Sequence, residues 1–323
     1  MTAVSGRELG STFGSFDVAR IRRLGFACVL ADGSLSTNHT FRLASLSPAR
    51  LAEAAHQNID DLERILTLME EGPLRLLRLG GSMVPLASHE AVDFDWRPLV
   101  AGRLQHIGRT YAARGFRFSS HPGQYTILNA TDEGVVRRAI AELAYSTELL
   151  DLMELDGSHK VIIHGGGIYG DREGATKRLV ESLTKLPENI CRRLVLENDE
   201  RLFNLEQILW VAERSGVPVV FDLHHHQINP GTEELEGLLQ RVAKTWDCIP
   251  KIHMSSQKPN ARVGAHDDLL HEVDLETMLR VIPFETDVMV ESKGKEIAAM
   301  HAWKWLRDHD GLVASEVSRR FLA

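Results

Sequence analysis

Six segments in the later two-thirds of the chain each end a short apolar run with a side chain that can hold a metal ion. They read FRFSSHPGQY, KVIIHGGG, RLVLEND, VPVVFDLHHH, IPKIHMSS and DVMVES. The ligand candidates are His121, His164, Glu197, Asp222 with His225, His253 and Glu291. All offer nitrogen or oxygen and none a thiolate, a donor set suited to Mn2+, Zn2+ or Fe2+. A carboxylate shared by two ions about 3.5–4 Å apart is the arrangement for in-line phosphoryl displacement. Glu197 ends three strongly apolar residues, where a carboxylate is costly unless paired or metal-bound. Any one of these residues alone reads as ordinary hydrogen-bonded structure. Six at the same end of successive strands point to one site with more than one divalent ion. Three consecutive histidines, His224 to His226, cannot all point inward, so at least one is expected to be structural. Lys251 stands two residues before His253 and shares its face in a strand. A buried ammonium there needs a carboxylate, a metal-linked partner or chemical modification.

The elements that must position these groups alternate regularly. Strands are predicted near 23–29, 74–80, 115–121, 159–164, 192–197, 217–222, 250–254 and 286–291. Helices are predicted near 47–71, 94–114, 132–156, 172–187, 203–215, 232–245, 274–281 and 295–308. Ser47 and Pro48 supply an N-cap and first helical residue, and Gly216 a helix stop. Eight strand–helix units in about 300 residues is the count of a (β/α)8 barrel, an α/β TIM barrel whose chemistry lies at the C-terminal ends of the strands. A doubly wound open sheet is the alternative, but it gathers ligands at one switch point. HGGGIYG follows a strand without fitting either nucleotide fingerprint.

Composition narrows the function. The 323 residues are 43% hydrophobic and 25% charged, enough for one large domain. That domain is expected over 21–310, with a Gly/Ser-rich arm at 1–20 and a tail at 311–323. Cys28, Cys191 and Cys248 lack CxxC spacing, which argues against a disulfide framework and for a reducing, cytoplasmic setting. No apolar run reaches the roughly 20 residues of a membrane span, and a monomer is expected. The net charge of −8 excludes a generic basic nucleic-acid binder. Three divalent ions would offset six of those charges, so the local field at the site can still attract DNA.

Taken in order, LGFAC, TNHTFRLA, HPGQY, HGGGIYG, LENDERLFN, DLHHHQINPG, PKIHMSSQ, GAH and DVMVESKGKE resemble the UV damage endonuclease family, from about Leu24 to Lys295. That family shares its barrel and trinuclear site with endonuclease IV. The resemblance implies three divalent ions, Mn2+ or alternatively Zn2+. His121, His164 and Glu197 would hold one. Glu197, Asp222, His253 and Glu291 would hold a second, with Glu197 bridging, and His225 and His266 a third. Lys251 matches a carboxylated lysine near the ions, and His89 a histidine near the site. Catalysis would fall to Glu197, Lys251, His89 and His253. Gln124 and Tyr125 match the pair that probes the duplex, where an amide and an aromatic can fill the gap left by extruded nucleotides. Arg172, Lys177, Arg178, Lys258, Lys293 and Lys295 could contact phosphates.

Two departures bear on selectivity. Phe26 stands where relatives commonly carry Tyr, and Leu30 lies where an Asn follows; Asn38 could supply a substitute amide. Phe26 and Asn38 are therefore also expected among the lesion-facing residues. The function implied is incision of damaged double-stranded DNA immediately 5′ to pyrimidine dimers and 6-4 photoproducts, leaving a 3′-hydroxyl and a 5′-phosphate. The rivals are an abasic-site endonuclease, a metal-dependent sugar isomerase and a lesion-binding module without catalysis.

Overall fold

The computed structural model describes residues 18–321, with side chains described for 18–309. The arm expected at 1–20 lies almost wholly outside them. Eight parallel strands close into a barrel in chain order, as the strand–helix count requires. They are β1 Ile21–Ala27, β2 Leu76–Leu79, β3 Arg117–Ser120, β4 Lys160–His164, β5 Leu194–Glu197, β6 Val219–Asp222, β7 Lys251–Met254 and β8 Thr286–Val290. The long connecting helices are α1 Pro48–Glu70, α2 Arg97–Ala113, α3 Glu133–Leu152 and α4 Arg172–Thr184. After the short α5 Glu188–Cys191 come α6 Leu205–Ser215, a one-and-a-half-turn α7 Leu223–Ile228, α8 Leu235–Lys244, α9 Glu272–Val281 and α10 Lys295–Phe321.

Local chemistry explains the helix ends. The Ser47 hydroxyl accepts from Arg50 N at 3.2 Å, and Pro48, which has no N–H to lose, opens α1. Asn204 and Gln207 cap α6 reciprocally, and Gly216 at φ 76° releases it. The expected boundaries hold to within a few residues, with two differences. α10 continues to Phe321, beyond the helix end expected near 308. α5 and α7 are too short to leave a periodic apolar signature in sequence.

Packing is layered. Ile162, Val195 and Val220 form one cluster of buried alternate strand residues, and Ala27, Leu76 and Met289 another. The main core lies between strands and helices and includes Phe26, which is fully buried and shares that cluster with Leu24 and the α1 residues Leu51, Ala55 and Ile59. This corrects the expectation that Phe26 faces a lesion: no surface of its ring is available to DNA. Near the N-terminal ends of the strands, Arg117 and Arg23 converge on the fully buried Asp287 at 2.7 and 3.2 Å. That ionic cluster lies at the opposite end of the strands from the polar groups at their C-termini.

Candidate metal centre and DNA-facing rim

Strand register brings the ligand candidates to one level. His164 pairs with Glu197 across β4–β5, and Asp222 with His253 across β6–β7. Two sets of ligand atoms lie within 4.8 Å of one another: His121, His164 and Glu197, and Glu197, Asp222, His253 and Glu291. Glu197 is common to both and fully buried. Its Oε2 lies 3.2 Å from His121 Nε2, and its Oε1 lies 3.0 Å from His253 Nδ1.

These residues fit divalent ions on two independent grounds. The first is that several buried ligand atoms converge with no hydrogen-bond partner. Glu197 Oε1, Asp222 Oδ2, His164 Nδ1 and both ring nitrogens of His253 have no hydrogen-bond partner. Unpaired buried polar atoms are costly, and a shared cation would satisfy them together. The second is the orientation of the imidazoles. His121 Nδ1 lies 3.1 Å from Pro122 O, His225 Nδ1 3.0 Å from Asn198 O, and His266 Nδ1 3.0 Å from Glu291 O. A carbonyl only accepts, so Nδ1 donates in each ring, and Nε2 is left as the nitrogen that a metal ion could take. That is the usual outer support of a metal-binding histidine.

His225 and His266 stand side by side with ring centroids 6.2 Å apart, and Glu200 Oε2 is 3.8 Å from His225 Nε2. This grouping is looser than the other two. α7 sets it up: Asp222 caps the helix by accepting from His225 N at 2.7 Å, so one short turn aims both D and H of D-x-x-H at the opening. All three consecutive histidines are buried. His224 lies 5.4 Å from His266, and His226 packs on Phe221 at 5.5 Å, as the structural member.

Electrostatics agrees with the geometry. Burial opposes ionisation of Glu197, but His253, His164 and the His121 bond hold its carboxyl well below the ordinary range. Burial also opposes ionisation of Glu291, but the Arg78 guanidinium and His253 hold it low. Arg78, which ion-pairs with Glu291, was not singled out from sequence. A basic residue inside a four-residue apolar strand was the available signal. Lys251 is fully buried and its Nζ has no hydrogen-bond partner. Burial first, then the Arg117 charge, drives its amine well below its ordinary value. His89 is placed differently: its Nδ1 accepts from Ala91 N at 3.0 Å, a bond within its own turn.

The rim carries the remaining candidates. Gln124 and Tyr125 are exposed at the tip of the loop that begins with His121, and Tyr125 is 81% exposed. Asn38 is exposed and its Oδ1 accepts from Ser82 N at 3.1 Å, leaving its N–H groups free of that bond. Asn129, also missed in sequence, is fully buried and grips Gly167 from both sides, donating to its O at 2.8 Å and accepting from its N at 3.1 Å. It ties the loop of Gln124 and Tyr125 to the glycine loop after His164. Asn198 does the same for β5 and β6, bonding Asp222 O at 3.0 Å and Asp222 N at 2.9 Å.

Comparison with known proteins places this arrangement. A family model described as "UV-endonuclease UvdE" matches residues 22–318. A UV DNA damage endonuclease of Clostridium perfringens is 32% identical over 303 residues, covering 92% of this chain and 74% of the relative. A solved structure named SacUVDE superposes with a TM-score of 0.84 at 35% identity, covering 89% of this chain and 99% of that one. Endonuclease IV from Thermus thermophilus has a TM-score of 0.54 at 16% identity, covering 88% and 99%, a likeness of fold alone.

Proposed function

Because the chain belongs to the UV-endonuclease UvdE family, we propose that it incises damaged duplex DNA immediately 5′ to UV photoproducts with the help of divalent ions at its barrel rim. Family membership makes it a DNA repair endonuclease. The proposal adds the ion dependence, the lesion and the position of the cut. The observation that carries it is one short segment with two roles: His121 belongs to a ligand group, while Gln124 and Tyr125, three and four residues on, stand exposed at the rim.

His121, His164 and Glu197 would hold one ion, and Glu197, Asp222, His253 and Glu291 a second. His225 and His266, with Glu200 nearby, would hold a third. Bound ions would supply activated water and neutralise charge at the scissile phosphate. The chain supplies position. The Nδ1–H bonds of His121, His225 and His266 fix ring orientation, and Asn198 holds the end of β6 against β5. The Lys251 amine, favoured in its neutral form by burial and by guanidinium charge, is suited to add CO2, forming an N–C bond and releasing one proton. The carbamate formed would be an anion facing Arg78 and Arg117, resolving the buried partnerless amine. Gln124 and Tyr125 would enter the duplex where a damaged step has lost stacking, since opening costs least there. Asn129 would transmit the position of that loop to the one carrying His164.

Supplying Mn2+ to purified protein with end-labelled duplexes tests the reading. One duplex carries a single photoproduct, one an abasic site, and one is undamaged. Preferential cutting of the photoproduct duplex is expected. A cut abasic duplex beside an intact photoproduct duplex would instead assign the abasic specificity.

A further inference from the structure

We propose that Tyr169 is a second aromatic DNA contact, a platform that receives the sugar or base face of a nucleotide flanking the lesion while Arg172 and Arg178 meet its phosphates. This rests on the nuclease reading above and extends its binding surface beyond the loop of Gln124 and Tyr125.

The chain has four tyrosines. Tyr111 and Tyr145 are buried on helices, whereas Tyr125 and Tyr169 are the exposed ones, and both stand on loops at the C-terminal rim. Tyr169 is 47% exposed, on the loop that leaves the candidate ligand His164 and enters α4. Its backbone is left-handed at φ 48°, a conformation that a bulky L residue seldom adopts. The flanking glycines 166 and 170 are also left-handed, at 83° and 76°. A plain turn would be easier to make with glycine at 169 as well. Backbone strain of this kind concentrates at functional sites.

The ring is seated deliberately. The end of the ring lies over Gly167, where an added Cβ would come within 2.9 Å of it, so a side chain there would push the ring from its present place. Asn129 holds Gly167 from both sides, which makes the seat rigid. The Arg178 guanidinium is 5.8 Å from the ring centroid. Its Nε donates to Asn129 O at 3.2 Å, yet its Nη2 is buried without a partner. Arg172 bonds only the neutral amide of Gln207, at 3.3 Å. Among the described residues neither arginine has a carboxylate partner. On a chain with net charge −8, two guanidiniums without a carboxylate partner beside a half-exposed ring suit an anionic partner that also stacks on aromatics. Stacking on an aromatic beside cationic side chains is how proteins hold a nucleic-acid strand independently of its sequence.

Binding by the full-length, metal-loaded protein tests this, with photoproduct and undamaged duplexes made cleavage-resistant by phosphorothioate linkages near the lesion position. Tyr169→Gly relieves the left-handed backbone, so folding should survive. It should weaken both duplexes alike, by about tenfold, in line with loss of one stacked contact. Tyr169→Phe should bind within about twofold of wild type. Tyr125→Ala should weaken the photoproduct duplex selectively. Arg172→Gln, which tests the surface independently of the tyrosine, should lower the slope of log affinity against log salt by about one. Wild-type affinity in Tyr169→Gly, equal losses in Tyr169→Phe and Tyr169→Gly, or an unchanged salt slope in Arg172→Gln would each overturn the platform. Absence of lesion preference in the wild type would instead overturn the nuclease reading, and this inference with it.

Discussion

Replacing Glu197 by glutamine changes one atom in the middle of the candidate metal centre and should cost two ions, not one. Glu197 is the only residue common to both tight ligand groups, and its two oxygens face different partners: Oε2 faces His121 at 3.2 Å, Oε1 faces His253 at 3.0 Å. Glutamine keeps the shape, so packing around the fully buried side chain is preserved. It loses the charge and one of the two acceptor oxygens. Removing an outer support of a ligand typically costs 10–100-fold in metal affinity, so losing a shared carboxylate should cost about 100-fold or more at both positions. At a hundredfold excess of free ion over Kd, each bound ion should stabilise the wild type by about 2.7 kcal/mol. For a chain of this size that is roughly 4 °C in Tm per ion. Calorimetric titration of Mn2+ into metal-free protein gives the stoichiometry, and melting with and without Mn2+ gives the shift. Glu197→Gln should lose two equivalents and most of the shift, whereas His266→Gln should lose one. Wild-type stoichiometry and affinity in Glu197→Gln would refute the bridging assignment.

Other consequences concern protons and a modification. Burial alone would lower the His225 pKa, but Asp222, Glu197, Glu291 and Glu200 together hold it up to about 9. In metal-free protein its charge therefore stabilises the fold fully below about pH 6.5 and stops doing so as pH rises through 9. An ion needs the neutral ring, so binding at pH 7.5 should release close to one proton from this residue, seen as a buffer-dependent binding enthalpy that disappears in His225→Gln. A buffer-independent enthalpy in the wild type would contradict it. His159 behaves oppositely: burial drives it down to about 3, and its Nδ1 must stay unprotonated to accept Phe118 N at 2.9 Å. Its contribution is complete above pH 6.5 and lost as pH falls toward 3, by up to about 1.4 kcal/mol per unit. His159→Gln should flatten that acid limb, and an unchanged limb would count against it. Protein equilibrated with 13C-bicarbonate should show a carbamate carbon resonance that Lys251→Met removes, and a wild type without it would refute modification at this lysine.

Much of the candidate centre was legible because a parallel barrel strand has a fixed polarity: apolar run first, ligand-type residue at its C-terminal end. His121, His164, Glu197, Asp222, His253 and Glu291 all obey it, and the register does the rest. What could not be read was which face each residue takes. The C-terminal half of β1, Leu24–Ala27, is apolar and buried on both faces, so nothing in LGFAC distinguishes Ala27, in the cluster with Leu76 and Met289, from Phe26, in the main core cluster with helix residues. Matching Phe26 to a lesion-facing tyrosine failed on that parity. Asn129 and Asn198 were invisible for another reason. Their role is to bond backbone atoms 38 and 24 residues away, a relation no local pattern contains. Arg78 was the avoidable omission, since a charged residue within a barrel strand needs a partner and Glu291 was the obvious one.

The most direct test maps the cut itself. A duplex with one photoproduct, labelled on the damaged strand, is incubated with chelator-stripped protein, then with Mn2+ restored, in wild type and Glu197→Gln. The account requires a single ion-dependent break at the phosphodiester immediately 5′ to the lesion, with a 3′-hydroxyl that a polymerase extends, and none in the variant. Cleavage that persists without divalent ions, or that survives in Glu197→Gln at the wild-type rate, would contradict it.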